Sequence, residues 1–328
     1  MNRRSWLLAM SGALALPAFR PASAAAFPDR PVRMIVPFLA GSSPDLFARM
    51  LGTELGSRLR QPVVIENMPG AGGLIGTLAL TRAAPDGYTL GLLANTQLIS
   101  AHMYRKKPFD LVTDCTPITS FSGGASVVVV KSSSNIRTLP ELIAGIRREP
   151  GKYNFASSGK GSIAHLAAEA LLRQHDARAV HIPYKGGPEI TSAILNGQVD
   201  FGIPVVSTTL PFLSRGQLTP LAVTTAARSP LLPQVPTIAE VLPPGYVLDN
   251  WGGIFAPANL PSGLQPLLFG HLHAIVAEGK LEAHIRNGGG EVRLSKSPAE
   301  FTAFIRAEDS KYGKWISDIG LAKDTHGG

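Results

Sequence analysis

Short, unbroken apolar runs recur along the chain: Val32 to Pro37, Val63 to Glu66, Thr89 to Ala94, Val127 to Val130, Tyr153 to Ala156, Val180 to Pro183, Phe201 to Ile203 and Leu221 to Thr225. A strand covered on both faces reads as such a run rather than as an alternation, the pattern of a largely parallel sheet with helices on each side. Between the runs the apolar positions repeat with a helical period. One helix is predicted to open at Ser43-Pro44-Asp45, with Ser43 as its cap, and to bury Phe47, Met50, Leu51 and Leu55. A second runs from Ser162 to about His175 on Ile163, Leu166, Ala167, Ala170 and Leu171. A third, Ser297 to about Ile319, carries Phe301, Phe304, Ile305, Tyr312, Trp315, Ile316 and Ile319 on one side. Strands alternating with helices give an α/β class. Ser120-Phe121-Ser122-Gly123-Gly124 reads as a crossing between two lobes, and a return near Thr224 to Pro230 makes 123–225 an inserted lobe and 27–122 plus 226–328 the other.

Two of the strand ends share a design: a run, a loop of Gly and Ser, and a helix start. The first is Val36-Pro37-Phe38-Leu39-Ala40-Gly41-Ser42-Ser43; the second is Phe155-Ala156-Ser157-Ser158-Gly159-Lys160-Gly161-Ser162. A helix N-terminus presents unpaired amides and about half a positive charge. Two such loops facing each other make a clamp for a small anion.

The first 24 residues have Arg3-Arg4, an apolar run from Trp6 to Phe19 and the small-residue sequence Ala22-x-Ala24, which together read as a secretory signal peptide, 1–24, cleaved after Ala24. Arg3-Arg4 also suits twin-arginine export, with the Sec route as the alternative; either delivers the protein to the periplasm. Elsewhere no run approaches the roughly 20 apolar residues that span a bilayer. Cleavage leaves 28 basic against 23 acidic residues, a mature charge of +5, without the basic cluster and interleaved aromatics of a nucleic-acid binder. Cys115 is the single cysteine, so stability rests on the core and not on disulfides.

Catalytic signatures are missing. His271 and His273 do not share a helix face, so no metal site is expected, and neither a nucleophile elbow nor a Walker loop occurs. Gly159-Lys160-Gly161-Ser162-Ile163-Ala164 fits a loose dinucleotide fingerprint, but the acid expected at the end of the next strand is replaced by Ile182-Pro183-Tyr184. Gly70-Ala71-Gly72-Gly73 reads as a turn with close backbone packing. No cofactor, no metal and no catalytic residue are expected.

The chain also resembles a known family, the solute-binding receptors of tripartite tricarboxylate transporters, called Bug or TctC proteins. The resemblance rests on Phe27-Pro28-Asp29-Arg30-Pro31-Val32-Arg33, Val64-Ile65-Glu66-Asn67-Met68-Pro69-Gly70-Ala71-Gly72-Gly73 and Ala84-Pro85-Asp86-Gly87-Tyr88-Thr89-Leu90. His181-Ile182-Pro183-Tyr184-Lys185-Gly186, Asn196-Gly197-Gln198-Val199-Asp200 and Trp251-Gly252-Gly253-Ile254-Phe255-Ala256-Pro257 follow in order, over the whole mature chain. It implies a periplasmic-binding-protein-like fold of type II, two doubly wound α/β lobes with a hinge and a central cleft. It also implies a monomeric, non-enzymatic receptor that captures a small organic acid and delivers it to inner-membrane permease subunits. In that family the carboxylate is held by amides, hydroxyls and waters of the two loops. A sensor presenting its solute to a membrane kinase, or an exported enzyme using the cleft, are the alternatives. Gly41-Ser42-Ser43-Pro44-Asp45 departs from the family's glycine-rich form, gaining hydroxyls and losing the amide of Pro44. Pro204-Val205 stands where relatives often carry an acid or Asn, which points away from an amino acid and toward an organic acid with an apolar or aromatic tail.

The expected ligand-binding residues are Phe38, Gly41, Ser42, Ser43, Asn95, Ser157, Ser158, Gly161, Ser162, His165 and Tyr184. Several have a second, plain reading: Ser42 and Ser43 as helix caps, Ser157 and Ser158 as turn residues, Asn95 as a capping amide, His165 as a packed ring, Tyr184 as hinge packing. The leader makes one prediction: N-terminal sequencing of protein secreted from its native host should find Ala25 at or near the start. Met1 retained on functional protein would refute export by cleavage.

Overall fold

The apolar runs become strands, and most helices start where the sequence places them. The structure, a computed structural model, describes residues 27–184, 186–243, 245–287, 290–318 and 320–321; the leader and Ile319 lie outside these. The chain runs β1 Val32–Val36, α1 Ser43–Leu59, β2 Val63–Asn67, α2 Leu74–Thr81, β3 Thr89–Ala94, α3 Asn95–His102, β4 Cys115–Ala125 and β5 Val127–Lys131. It continues through α4 Leu139–Arg148, β6 Asn154–Ser157, α5 Ile163–Gln174, β7 Val180–Pro183, α6 Gly187–Leu195, β8 Phe201–Gly202, α7 Val206–Ser214 and β9 Leu218–Val223. The last part holds α8 Ile238–Val241, β10 Asp249–Pro257, α9 Leu264–Ala277, α10 Glu282–Asn287, β11 Glu291–Val292 and α11 Pro298–Asp318.

Two sheets result, ordered β11-β4-β10-β3-β1-β2 and β7-β6-β8-β5-β9. Each has helices on both faces, so the molecule consists of two α/β lobes. Parallel pairing holds for β1 with β2 and β3, and for β6 with β7 and β8. β10 instead runs antiparallel to β3 and β4, and β5 antiparallel to β8 and β9. α1 and α9 cover one face of the first sheet through Phe47, Leu51, Leu55, Leu268 and Leu272. On the other face α3 and α11 join a core that continues without a break into α4 and α5 of the second lobe. Tyr246 is part of that continuity: its hydroxyl donates to Ala167 O at 2.7 Å, and its ring meets Trp315 edge-on at 5.4 Å.

Two strands missing from the sequence reading, β4 and β10, make the crossing between lobes. The segment read as a connector, Ser120 to Gly124, is part of β4, whose glycines and serines hide its pairing along all of β10. The chain enters the second lobe at Ser126 and leaves it at Leu248. Thr224 holds these two points together: its Oγ1 accepts from Ser126 N at 3.1 Å and donates to Leu248 O at 2.7 Å. Asn250 Nδ2 adds bonds to Gly124 O and Ser126 Oγ, 3.2 and 3.0 Å. The observed return at β10 follows the expected one near Thr224 to Pro230, because Leu232 and Val235 pack into the second sheet's core and Thr237 bridges Val223.

Three local expectations change. The α1 cap is Ser42, with Ser43 already helical, since Ser42 Oγ turns back to Leu39 O at 2.6 Å. Met50 and Phe304, expected in the core, are each 37% exposed at the edges of their helix stripes. No described helix is long and apolar enough to cross a membrane.

β10 sets a steric condition. A Cβ on Gly253 would lie 2.2 Å from Phe301 Cζ and 3.0 Å from Thr119 O, so α11 sits on the sheet only because this strand residue has no side chain. Gly253→Ala should cost about 1–3 kcal/mol in denaturant unfolding, the usual penalty of overpacking, and Phe301→Leu should recover part of the loss. A neutral Gly253→Ala would show that α11 shifts freely.

Candidate functional site

Both Gly-Ser loops reach one cavity of about 780 Å³ between the lobes. Of the expected residues, Phe38, Ser42, Ser158, Gly161 and Ser162 line it. Gly41, Ser43, Asn95, Ser157, His165 and Tyr184 are not among its lining residues, and five of these six have evident structural work.

The first loop is built around Asp45, which is 1% exposed. Its carboxylate accepts from Gly41 N at 2.7 Å, Asn67 Nδ2 at 2.9 Å and Arg49 Nε at 3.1 Å. Asn67 Nδ2 also donates to Phe38 O at 3.2 Å, and Arg49 Nη2 to Asn67 Oδ1 at 3.0 Å. Gly41, at φ +79°, has the left-handed backbone that turns its amide back onto Asp45. Burial works to raise the carboxyl's pKa, but the Gly41, Asn67 and Arg49 bonds outweigh it and leave the pKa below its ordinary 3.8. Gly41 therefore serves the loop, and Ser43, exposed in the first turn of α1, lies off the cavity.

The second loop is held from below by histidines. Ser157, fully buried, accepts from Gly159 N at 3.1 Å and sits 2.5 Å from His181 Nε2. His165 is 4% exposed, its ring lies tilted 4.2 Å from that of His181, and its Nδ1 accepts from Gly161 N at 3.3 Å. Burial, with a smaller contribution from Lys160, pushes the His181 pKa down and favours the neutral ring. Ser162 caps α5 by accepting from His165 N at 3.3 Å, while its own amide donates to Gly159 O at 3.2 Å. Tyr184 packs on the second lobe's core and donates its amide to Ser157 O at 2.8 Å. Asn95 is buried and ties α3 to β10 by donating to Asp249 O at 3.1 Å.

A clamp made of loop amides meets an obstacle here. The amides of Gly41, Ser42, Gly159, Gly161 and Ser162 all have acceptors within their own loops. Side-chain donors on the cavity wall include Ser158, Ser162, Thr96 and Lys160. Pro204, read as the place of a lost acid, lies instead at the crossing, where its carbonyl accepts from Val127 N.

Sequence reasoning missed the third wall, made by Pro69 to Gly73, by Thr96, Gln97 and Ser100 of α3, and by Met103 and Tyr104 in the turn that follows it. Ser100 Oγ lies 3.4 Å from Ala71 O, and a Cβ on Gly72 would stand 2.8 Å from that hydroxyl, so the glycines let the loop lie directly on α3. The Gly-rich stretch was the available signal. Among the described residues the lining holds no Asp or Glu and a single cation, Lys160, beside Phe38, Leu39, Met103 and Tyr104.

The profile of the tripartite tricarboxylate transporter family receptor, TctC, matches residues 47–321, and the chain belongs to this family. BugT of Bordetella pertussis is 33% identical over 303 residues, 92% of each chain. Among solved structures, Rpa4515 of R. palustris with adipate superposes with a TM-score of 0.80 at 29% identity, over 90% of this chain and 99% of that one. MatC (Rpa3494) of Rhodopseudomonas palustris, with bound malate, gives 0.76 at 26% identity, over 88% and 100%. The two-lobed architecture is thus that of periplasmic binding proteins.

The Asp45 network makes a prediction with a defined pH sign. A carboxyl whose folded pKa is depressed stabilises the fold above its unfolded value and loses that contribution as pH falls through the folded one. Asp45→Asn should therefore destabilise by about 1–3 kcal/mol at neutral pH, and the gap from wild type should close below pH 3.8, the ordinary value. Denaturant melts at neutral and acid pH measure both; a gap that does not change with pH would refute the assignment.

Proposed function

We propose that this chain, as a member of that receptor family, is a non-enzymatic periplasmic receptor that captures a small organic carboxylate between its lobes and hands it to the permease of a tripartite transporter. The observation that carries the reading is the cavity wall: among the described residues it has Lys160 and several hydroxyls, no acid, and an apolar body of Phe38, Leu39, Met103 and the Tyr104 ring. Such a wall repels no carboxylate and offers an ammonium group no partner. Adipate in Rpa4515 and malate in MatC support the same solute class. In this chain the carboxylate is held at the second loop by Lys160, Ser158 and the hydroxyl proton of Ser162. The apolar body of the solute lies against Phe38 and the Met103–Tyr104 turn. Export by the twin-arginine or the Sec route brings the protein to the compartment where such a solute is met, and the protein acts there as a monomer.

Calorimetric titration with carboxylates and their neutral amides tests the reading. Acids should bind and amides should bind much more weakly, because charge-assisted hydrogen bonds are roughly twice as strong as neutral ones. Lys160→Ala should weaken the acids by about 1 kcal/mol, roughly fivefold, and the loss should shrink as salt is raised. Equal affinity for acid and amide would sink the proposal.

A further inference from the structure

One carboxylate holds the turn that follows α3 at both of its ends. Asp309, on α11 with its side chain 18% exposed, accepts from His102 Nε2 at 2.8 Å and from Lys107 Nζ at 2.9 Å on each oxygen. His102 ends α3 and Lys107 closes the turn, so Met103 and Tyr104, both on the cavity wall, lie between the two fixed points. A carboxylate only accepts, which places a His102 proton on Nε2. Burial works to raise the Asp309 pKa, but the His102 and Lys107 bonds outweigh it and keep the group ionised at neutral pH. The His102 ring lies against α11 at Gly313, where a Cβ would stand only 2.7 Å from its Cε1. Across the cleft the turn reaches the second loop, since a Cβ on Gly161 would be 3.1 Å from Met103 Cγ.

We infer that Asp309 is a positioning residue for solute capture: by holding His102 and Lys107 together it keeps Met103 and Tyr104 where they meet the solute and the Gly161 loop. This rests on the carboxylate reading above. Asp309 is not among the cavity's lining residues, so it acts through the turn and not by contact. Its bonds raise the fraction of unliganded protein whose turn is ready to bind, and the apparent dissociation constant is the intrinsic one divided by that fraction. The sign separates this role from that of charge. Asp309 is an acid, so charge alone makes its removal favour an anionic solute. Release of the turn makes the same change weaken binding.

The test measures association and dissociation rates by rapid-mixing fluorescence, and affinity by calorimetry. It uses the full mature protein with a panel of mono- and dicarboxylates that includes adipate and malate. Asp309→Asn should weaken the best-bound acid about threefold or more, with the loss in the association rate and dissociation nearly unchanged, as a smaller competent fraction requires. A lost solute contact would instead speed dissociation. Gly313→Ala disturbs the same bonds without altering any charge, by driving the His102 ring off its seat. Ala favours a helix more than Gly does, which offsets the crowding. This variant should slow association in the same way. Melting temperatures identify the folded variants, and Gly313→Ala decides the matter if Asp309→Asn does not fold. Association that is unchanged or faster in the folded variants, or a loss carried by dissociation alone, overturns the role of Asp309 while the carboxylate reading stands. Wild-type protein that binds none of the acids overturns the carboxylate reading itself, and the role of Asp309 with it.

Discussion

A buried carboxylate organises the mouth of the cleft. Asp45 could not remain ionised out of water unless its oxygens were matched by donors, and the chain supplies them from Gly41, Asn67 and Arg49. The same bonds fix the path of the strand-to-helix turn, because one donor is the loop's own glycine and another, Asn67, also holds Phe38 in place. The first lobe thus presents a rim whose shape is decided before any solute arrives. The second rim has its counterpart in the Ser157–His181 and Gly161–His165 bonds. Preformed rims spare the solute the entropic cost of ordering loops.

Much of this architecture was legible in the sequence, and the failures have physical causes. Runs such as Val32 to Pro37 and Val127 to Val130 announce themselves because both faces are buried. β4 and β10 do not, because Gly252 and Gly253 occupy positions where neighbours leave no room for side chains, and glycine, here and at Gly123 and Gly124, carries no strand signal. The loops were found from their composition, but which atoms face the cavity was not. Asn95 and Gln97 are two residues apart at the same strand end, and only the turn of α3 decides that the first ties into β10 and the second bonds back to Ala94 N. Likewise, the sequence contains the Ser162 amide but not its bond to Gly159 O.

Family membership fixes the two-lobed plan, while the wall of this particular cavity carries what is individual. Serines and a proline stand in the first loop, and the hydroxyl of Ser42 is spent on Leu39 O rather than turned to the cleft. These residues therefore act on rigidity more than on recognition.

The paired crossings decide how the lobes can move. Ser126 and Leu248 sit side by side, joined through a single hydroxyl on Thr224 and braced by Asn250. Two adjacent tethers act as an axle: they permit a tilt about the line that joins them and resist sliding or twisting. The gap between the rims at Ser42 and Ser162 is then a function of one angle, set where Thr224 joins Ser126 to Leu248.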